Sequence, residues 1–164
     1  MSGVRLKCMI SDSSATLLAY GLDDPSLPAS KVAIVDIGWS TTEVSICDVS
    51  GGLFFPLSSI TSTDISGKVL VNLLADHCAK DFQRKTKQPC VESNKSMMRL
   101  RRECEDAMKI LSTGAEATID IDSLYEGADY SSKITRARFE DLISIPLIQV
   151  KLLFARGRKM TRER

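Results

Sequence analysis

The sequence predicts an α/β fold: a twisted mixed sheet with helices packed on it, plus a smaller α+β subdomain of long helices and a hairpin. Three observations carry this. In Val32 to Val44, VAIVDIGWSTTEV, an apolar run reads as a strand buried on both faces and leads into Asp36 and Gly38. Thr41 to Cys47 then alternates Val44 and Ile46 against Thr42, Glu43 and Ser45, giving strand, Asp-x-Gly turn, strand. Near Gly67 the apolar period changes from that of a strand to that of a helix, and from Ala115 to Ser123 it changes back.

Taken in order, Arg5 to Ile10 reads as a short strand. Ser11, Asp12, Ser13 and Ser14 are good helix caps before the helix-prone Ala15 to Tyr20, and Gly21 supplies its left-handed end. Leu22 to Ser30 is a polar loop. Ser50-Gly51-Gly52 is a turn, and Leu53 to Ile60 a third strand that Pro56 pushes toward an edge or a bulge. Gly67 to Phe82 carries Val69, Leu70, Leu73, Leu74, His77, Cys78 and Phe82 at helical spacing, with His77 read as a core or boundary histidine. Pro89 breaks the chain before a helix from Ser93 to Leu111, whose stripe is Met97, Leu100, Cys104, Ala107, Met108 and Leu111. Its outer face is charged and reads equally as a solvated surface. Ala117, Ile119 and Ile121 line one face of the next strand; Tyr125-Glu126-Gly127 turns it back through Asp129 to Ile134, and Thr135 caps a further helix. After an apolar Ile145 to Phe154, Arg156, Arg158, Lys159, Arg162 and Arg164 against Glu163 read as a disordered basic tail.

The 164 residues suffice for one domain or two small lobes, and a net charge of +1 gives no global pull toward nucleic acid or a membrane surface. No apolar run approaches the roughly 20 residues of a membrane span. The five cysteines are scattered without a Cys-x-x-Cys, and His77 is the only histidine, so zinc is not indicated; free thiols in a cytoplasmic protein are the simplest reading.

The turn Asp36-Ile37-Gly38-Trp39-Ser40-Thr41 resembles the glycine-rich phosphate loop Asp-Leu-Gly-Gly-Gly-Thr of the seventy-kilodalton heat-shock (DnaK-type) chaperones. Ile121-Asp122-Ser123-Leu124-Tyr125-Glu126-Gly127, with Ile134-Thr135-Arg136-Ala137-Arg138-Phe139-Glu140, matches that family almost residue for residue, and Ala19-Tyr20-Gly21-Leu22 resembles its Ala-Tyr-Gly-Leu. The likeness runs from Gly3 to Leu142. It implies an actin-like ATPase (ribonuclease H-like) lobe, the second of the two that face each other in the family's ATPase domain. The expected division is 1–67 for the sheet, 68–132 for a helical subdomain with its hairpin, 133–144 for a helix returning to the lobe, and 145–164 for the divergent tail.

The resemblance also implies a ligand, ATP or ADP with magnesium, held weakly or vestigially. Asp36, Gly38, Ser40, Thr41 and Gly67 fall where the family holds phosphates. Glu105, Lys109 and Ser112 fall where it grips adenosine, with Met108 in place of a lysine. Asp12 stands at a glutamate that helps organise magnesium and water, so Asp12 and Asp36 are the indirect metal candidates; Asp12 reads equally as a plain cap. Trp39 replaces the loop's middle glycine, so Trp39→Gly is expected to bind ATP at least as tightly. Lys68 replaces an acidic residue and is either an anion contact or a solvated lysine. The first lobe and its catalytic lysine are expected to be absent. The chain is therefore read as a chaperone nucleotide-binding fragment without catalytic residues or independent hydrolysis, hence no enzyme, similar to the divergent ribosome-associated branch. The alternative is an interaction module without nucleotide. A J-domain co-chaperone or a ribosome is the expected partner, with no specific nucleic acid and no membrane.

Overall fold

The computed structural model describes residue 3 and residues 5–162; Glu163 and Arg164 of the basic tail lie outside the described residues. These residues form two compact units. One holds the residues up to Gly38, Thr42–Ser62 and those from Lys151 onward; the other holds Trp39–Thr41 and Thr63–Val150.

In the first unit, α1 (Asp12–Ala19) precedes a meander of β1 (Ser30–Ile37), β2 (Thr42–Ser50) and β3 (Leu53–Ser62). Ser11 caps α1, its Oγ accepting from the Ser14 amide at 3.2 Å, so Asp12 is the first helical residue rather than the cap. Gly21, at φ +68°, ends the element as expected. The sheet is antiparallel throughout, not mixed: short hairpin loops at 38–41 and 51–52 cannot return a strand in parallel. Gly51 and Gly52 both have positive φ, and a Cβ on Gly52 would sit 2.5 Å from the Asp23 carbonyl oxygen, so that turn needs glycine twice over. The register slips between Ile46 and Cys47, where Cys47 faces Pro56. This is the bulge that a proline without an N–H makes at a sheet edge.

Two strand expectations need correcting. Residues 5–10 form no strand; Leu6, Met9 and Ile10 are exposed and pair with no ladder among the described residues. The run 32–35 is not buried on both faces. β1 is an edge strand, only Ile34 is buried, and Val35 and Ile37 are exposed. One face of β1 is covered, where Leu17 of α1 joins Ile34, Cys47 and Val49 in a small core.

As far as Arg162 the basic tail is helical rather than disordered. Ser144–Arg162 is α5, with Pro146 in its first turn, where a missing N–H leaves no helical bond unmade. In the first unit, Gly157 lets α5 lie close on β2. Its Cβ position is 3.6 Å from both Val44 and Ile46, and Ser58 Oγ donates to its carbonyl at 3.1 Å. Leu153 of the same helix is buried.

The second unit is built from α2 (Gly67–Thr86), α3 (Asn94–Leu111), the hairpin β4 (Glu116–Tyr125) and β5 (Ala128–Thr135), and α4 (Arg136–Leu142). Ser66 and Ser93 cap the two long helices through Val69 and Ser96, and Lys87 at φ +64° ends α2 with its amide on Gln83. Leu74, Cys78 and Phe82 of α2 meet Leu100 and Cys104 of α3 over Ile119 of β4, all of them sealed from solvent. Thr135 caps α4 as expected, and Arg136 ties it to the end of α3 by donating from Nε to the Leu111 carbonyl at 2.9 Å. His77 is a half-buried boundary residue of α2; burial, then Arg138, holds its imidazole below the ordinary value. All five cysteines are free thiols.

One charge is built into this core. Asp81 is nearly buried, paired with Arg84 and with Lys85 at 2.7 Å, and accepts from Tyr130 Oη at 3.3 Å. Burial alone would push the Asp81 carboxyl up; Lys85 and Arg84 outweigh it and hold it below its usual range. Tyr130 packs edge-on against Phe82 at 5.9 Å, so the carboxylate anchors β5 to α2.

Both the Asp81 cluster and the seat of α5 can be tested by substitution. A carboxyl lowered by folding stabilises the fold above its ordinary pKa of 3.8, and that contribution is lost as the pH falls through the folded value. Asp81→Asn should thus lose about 1.5–3 kcal/mol at neutral pH, read from urea unfolding, with the gap to the parent closing below pH ~4. Gly157→Ala should gain about 1 kcal/mol from helix propensity, and Gly157→Phe should lose about 1–3 kcal/mol by overpacking β2. Equal melting temperatures for the parent and both Gly157 variants would contradict the seat of α5.

Candidate functional site

The site is assembled from two helix faces of the second unit. Lys68, Val71 and Asn72 share one face of α2, and Met98, Arg101, Arg102 and Glu105 recur at helical spacing on α3. Together with Trp39 they line an open pocket of about 440 Å³. Val71 and Met98 give it an apolar floor. Asn72 accepts from Arg101 Nε at 2.9 Å and so fixes that guanidinium across the pocket. The Trp39 ring stands at the edge, 53% exposed, and its carbonyl accepts from the Lys68 amide at 2.9 Å. That bond uses one of the free N–H groups at the start of α2.

The electrostatics are one-sided. Three cations, Lys68, Arg101 and Arg102, face a single carboxylate, Glu105, which pairs with Lys109 at 3.2 Å. Lys109 also pairs with Asp106 at 2.9 Å, and the two carboxylates, Asp106 foremost, raise its ammonium above the ordinary lysine value. Ser112, at the end of α3, donates from Oγ to the Lys109 carbonyl at 2.6 Å.

The structure therefore brings Glu105, Lys109 and Ser112 together on one stretch of α3. Only Glu105 of the three lines the pocket. Gly67 is the first residue of α2, and Ser40 and Thr41 are exposed in the loop after Trp39. The other candidates lie in the first unit. Gly38 follows β1, and exposed Asp36 stands opposite Glu43 in the β1–β2 ladder, an unfavourable pairing of like charges. Asp12 is exposed at the start of α1. Among the described residues no three His, Cys, Asp or Glu side chains gather as a metal site.

Arg101, Arg102 and Asn72 were not among the expected site residues. A signal existed in the consecutive arginines one turn before Glu105, but a charged helix face looks the same whether it meets solvent or another helix.

The model of the family described as Hsp70 protein matches residues 1–154. The chain belongs to the Hsp70 family. This Hsp70 chain is similar to a heat shock protein of Pyricularia oryzae, with 40% identity over 143 residues that make up 87% of the chain and 23% of that relative. It is 37% identical over 146 residues to the heat shock cognate 70 kDa protein 3 of Dictyostelium discoideum, covering 88% of the chain and 23% of the relative. It thus spans about a quarter of the length of these relatives. Membership implies an actin-like ATPase fold. It also corrects one expectation: Hsp70 proteins are ATPases, so the chain belongs to an enzymatic family and the reading of it as no enzyme does not stand.

The charge around Trp39, the sole tryptophan, can be read in solution. Normalised to free tryptophan amide under each quencher, its emission should be quenched more by iodide and less by caesium, because the three cations concentrate anions locally. The difference should shrink with added salt and with Lys68→Ala. Equal normalised quenching by both ions at low salt would show that the pocket is not positive.

Proposed function

We propose that this Hsp70 chain is a chaperone nucleotide-binding fragment that takes ATP or ADP with magnesium and serves protein folding in the cytoplasm. The observation that supports this most is the linked set Glu105–Lys109–Ser112 on α3, the three side chains that match the family's adenosine grip. On this reading, Glu105 and Lys109 meet the ribose and base, and Ser112 closes the end of the grip. Ser40, Thr41 and Gly67 hold phosphate; Asp36 and Gly38 open the same turn. Asp12 and Asp36 act on magnesium only through its water. The meander belongs to a ribonuclease H-like lobe, and the partner is a J-domain co-chaperone or a ribosome.

A second reading, a docking module without nucleotide, draws on α5, where Ile145, Ile148 and Leu152 recur at helical spacing and are exposed.

Calorimetric titration with Mg-ATP and Mg-ADP separates the two. Saturable binding is expected, weakened about tenfold by Lys109→Ala, equivalent to about 1.4 kcal/mol. Trp39→Gly should bind at least as tightly as the parent, since glycine reopens the turn to the phosphates. Absence of heat with both nucleotides, or binding indifferent to Lys109, would favour the docking module.

A further inference from the structure

We infer that the hollow between the β1–β2 face and α5 is a site for a small amphiphilic anion. Its ligand is a medium-chain carboxylate, with its head on Lys31, Arg158 and Arg162 and its tail on Ala33, Ile46 and Phe154. This goes beyond the nucleotide reading: every residue of the hollow belongs to the first unit, and none is a nucleotide candidate.

The floor follows from the sheet. Lys31, Ala33 and Val35 share one face of β1, and Ala33 stands opposite Ile46 in the ladder. Ala33 is the short side chain of that row, so the face dips there. Gly157 brings α5 close to the neighbouring strand, its Cβ position 3.6 Å from Val44 and Ile46, and Phe154, one turn earlier, walls the hollow. A space of about 270 Å³ remains. Its base is apolar, with Ile46 buried and Phe154 half-buried.

The rim is cationic from both sides. Arg158 and Arg162 stand one turn apart on α5, and Lys31 comes from β1. Like charges at that helical spacing repel, and α5 has no Asp or Glu between Ser144 and Arg162 to answer them. Among the described residues none of the three cations forms an ion pair, although Asp48 stands opposite Lys31 in the ladder. An anion entering the hollow relieves this repulsion. The backbone that carries the arginines is also pinned. Ser58 Oγ donates to the Gly157 carbonyl at 3.1 Å, and Thr161 Oγ1 donates to the same carbonyl at 2.9 Å. Arg158 and Arg162 directly follow these two anchored residues.

The two halves together select the ligand class. A purely apolar molecule leaves the cations unanswered, and a bare inorganic anion leaves the apolar base wet. An anionic head on an apolar tail satisfies both, and a carboxylate matches the planar fork of a guanidinium. The volume lies just below the range of drug-sized sites, which limits the tail to a medium length.

The test titrates the full chain at low salt with butyrate, octanoate and octanol, each below the concentration at which it aggregates. Calorimetric heat and ligand NMR line width are followed in parallel. Octanoate is expected to bind saturably at one site. Affinity should rise about fourfold per methylene from butyrate to octanoate, as burial of each CH₂ requires. Octanol, which has the tail without the charge, should bind at least about tenfold more weakly. Arg158→Ala and Lys31→Ala should each weaken octanoate about tenfold, in line with loss of one charge-assisted contact. Ala33→Phe, which fills the dip and keeps every cation, should abolish binding. All three positions are exposed; circular dichroism checks each variant, and the two charge variants decide the matter if Ala33→Phe does not fold. No saturable octanoate binding, octanol bound as tightly as octanoate, or octanoate binding unchanged in both charge variants would overturn the site.

Discussion

The packing of α2 on α3 over the β4–β5 hairpin is the constraint on which the second unit depends. Leu74, Cys78 and Phe82 are sealed against Leu100 and Cys104, and a helix so packed has no freedom to rotate about its axis. Fixing the buried stripes therefore fixes the opposite faces. Lys68, Val71 and Asn72 are carried by the turns of α2 just before Leu74, and Met98, Arg101 and Arg102 flank Leu100. The register that closes the core is thus what assembles the cationic pocket. Asp81 anchors the same arrangement from α2, since a nearly buried carboxylate satisfied by Lys85, Arg84 and Tyr130 would lose its β5 partner in any slip of the hairpin against the helix.

The same packing explains how far the sequence could be read. The stripe of α3 was legible because its apolar residues are periodic: Met97, Leu100, Cys104, Ala107 and Leu111 are buried as their spacing requires, and Met108, at the margin of the stripe, is partly exposed. Caps and turns were legible because Thr135 and Gly51-Gly52 act within a few residues of themselves. Burial of β1 was not. An apolar run reports what a strand can bury, whereas its exposure depends on whether a second layer covers the other face. Residues 5–10 failed for a related reason: strand propensity without a ladder partner does not make a strand.

α5 was misread because basic residues dominate its end while the informative residue, Gly157, carries no side chain to notice. Glycine in a helix interior reads as a weakness. Here Val44 and Ile46 lie 3.6 Å from where its Cβ would stand, room for a methyl but not for a large side chain, and Ser58 bonds its carbonyl. For the site, Glu105, Lys109 and Ser112 were singled out only through likeness to a family. The arginines could not be found by their own pattern, because their significance lies in Lys68 on a different helix, which no local period reports.

Trp39 and Lys68 belong to one physical change. Where the family's loop has a permissive glycine, backbone amides can approach a phosphate closely. Here an indole occupies that position, and the Trp39 carbonyl binds the Lys68 amide, joining the loop to the start of α2. A helix start whose amides are engaged offers less of its positive end to an anion. Lysine in place of an acidic residue restores positive charge at that point, but on a flexible stem. Backbone amides fix both the position and the shape of what they bind; a lysine acts as a mobile point charge.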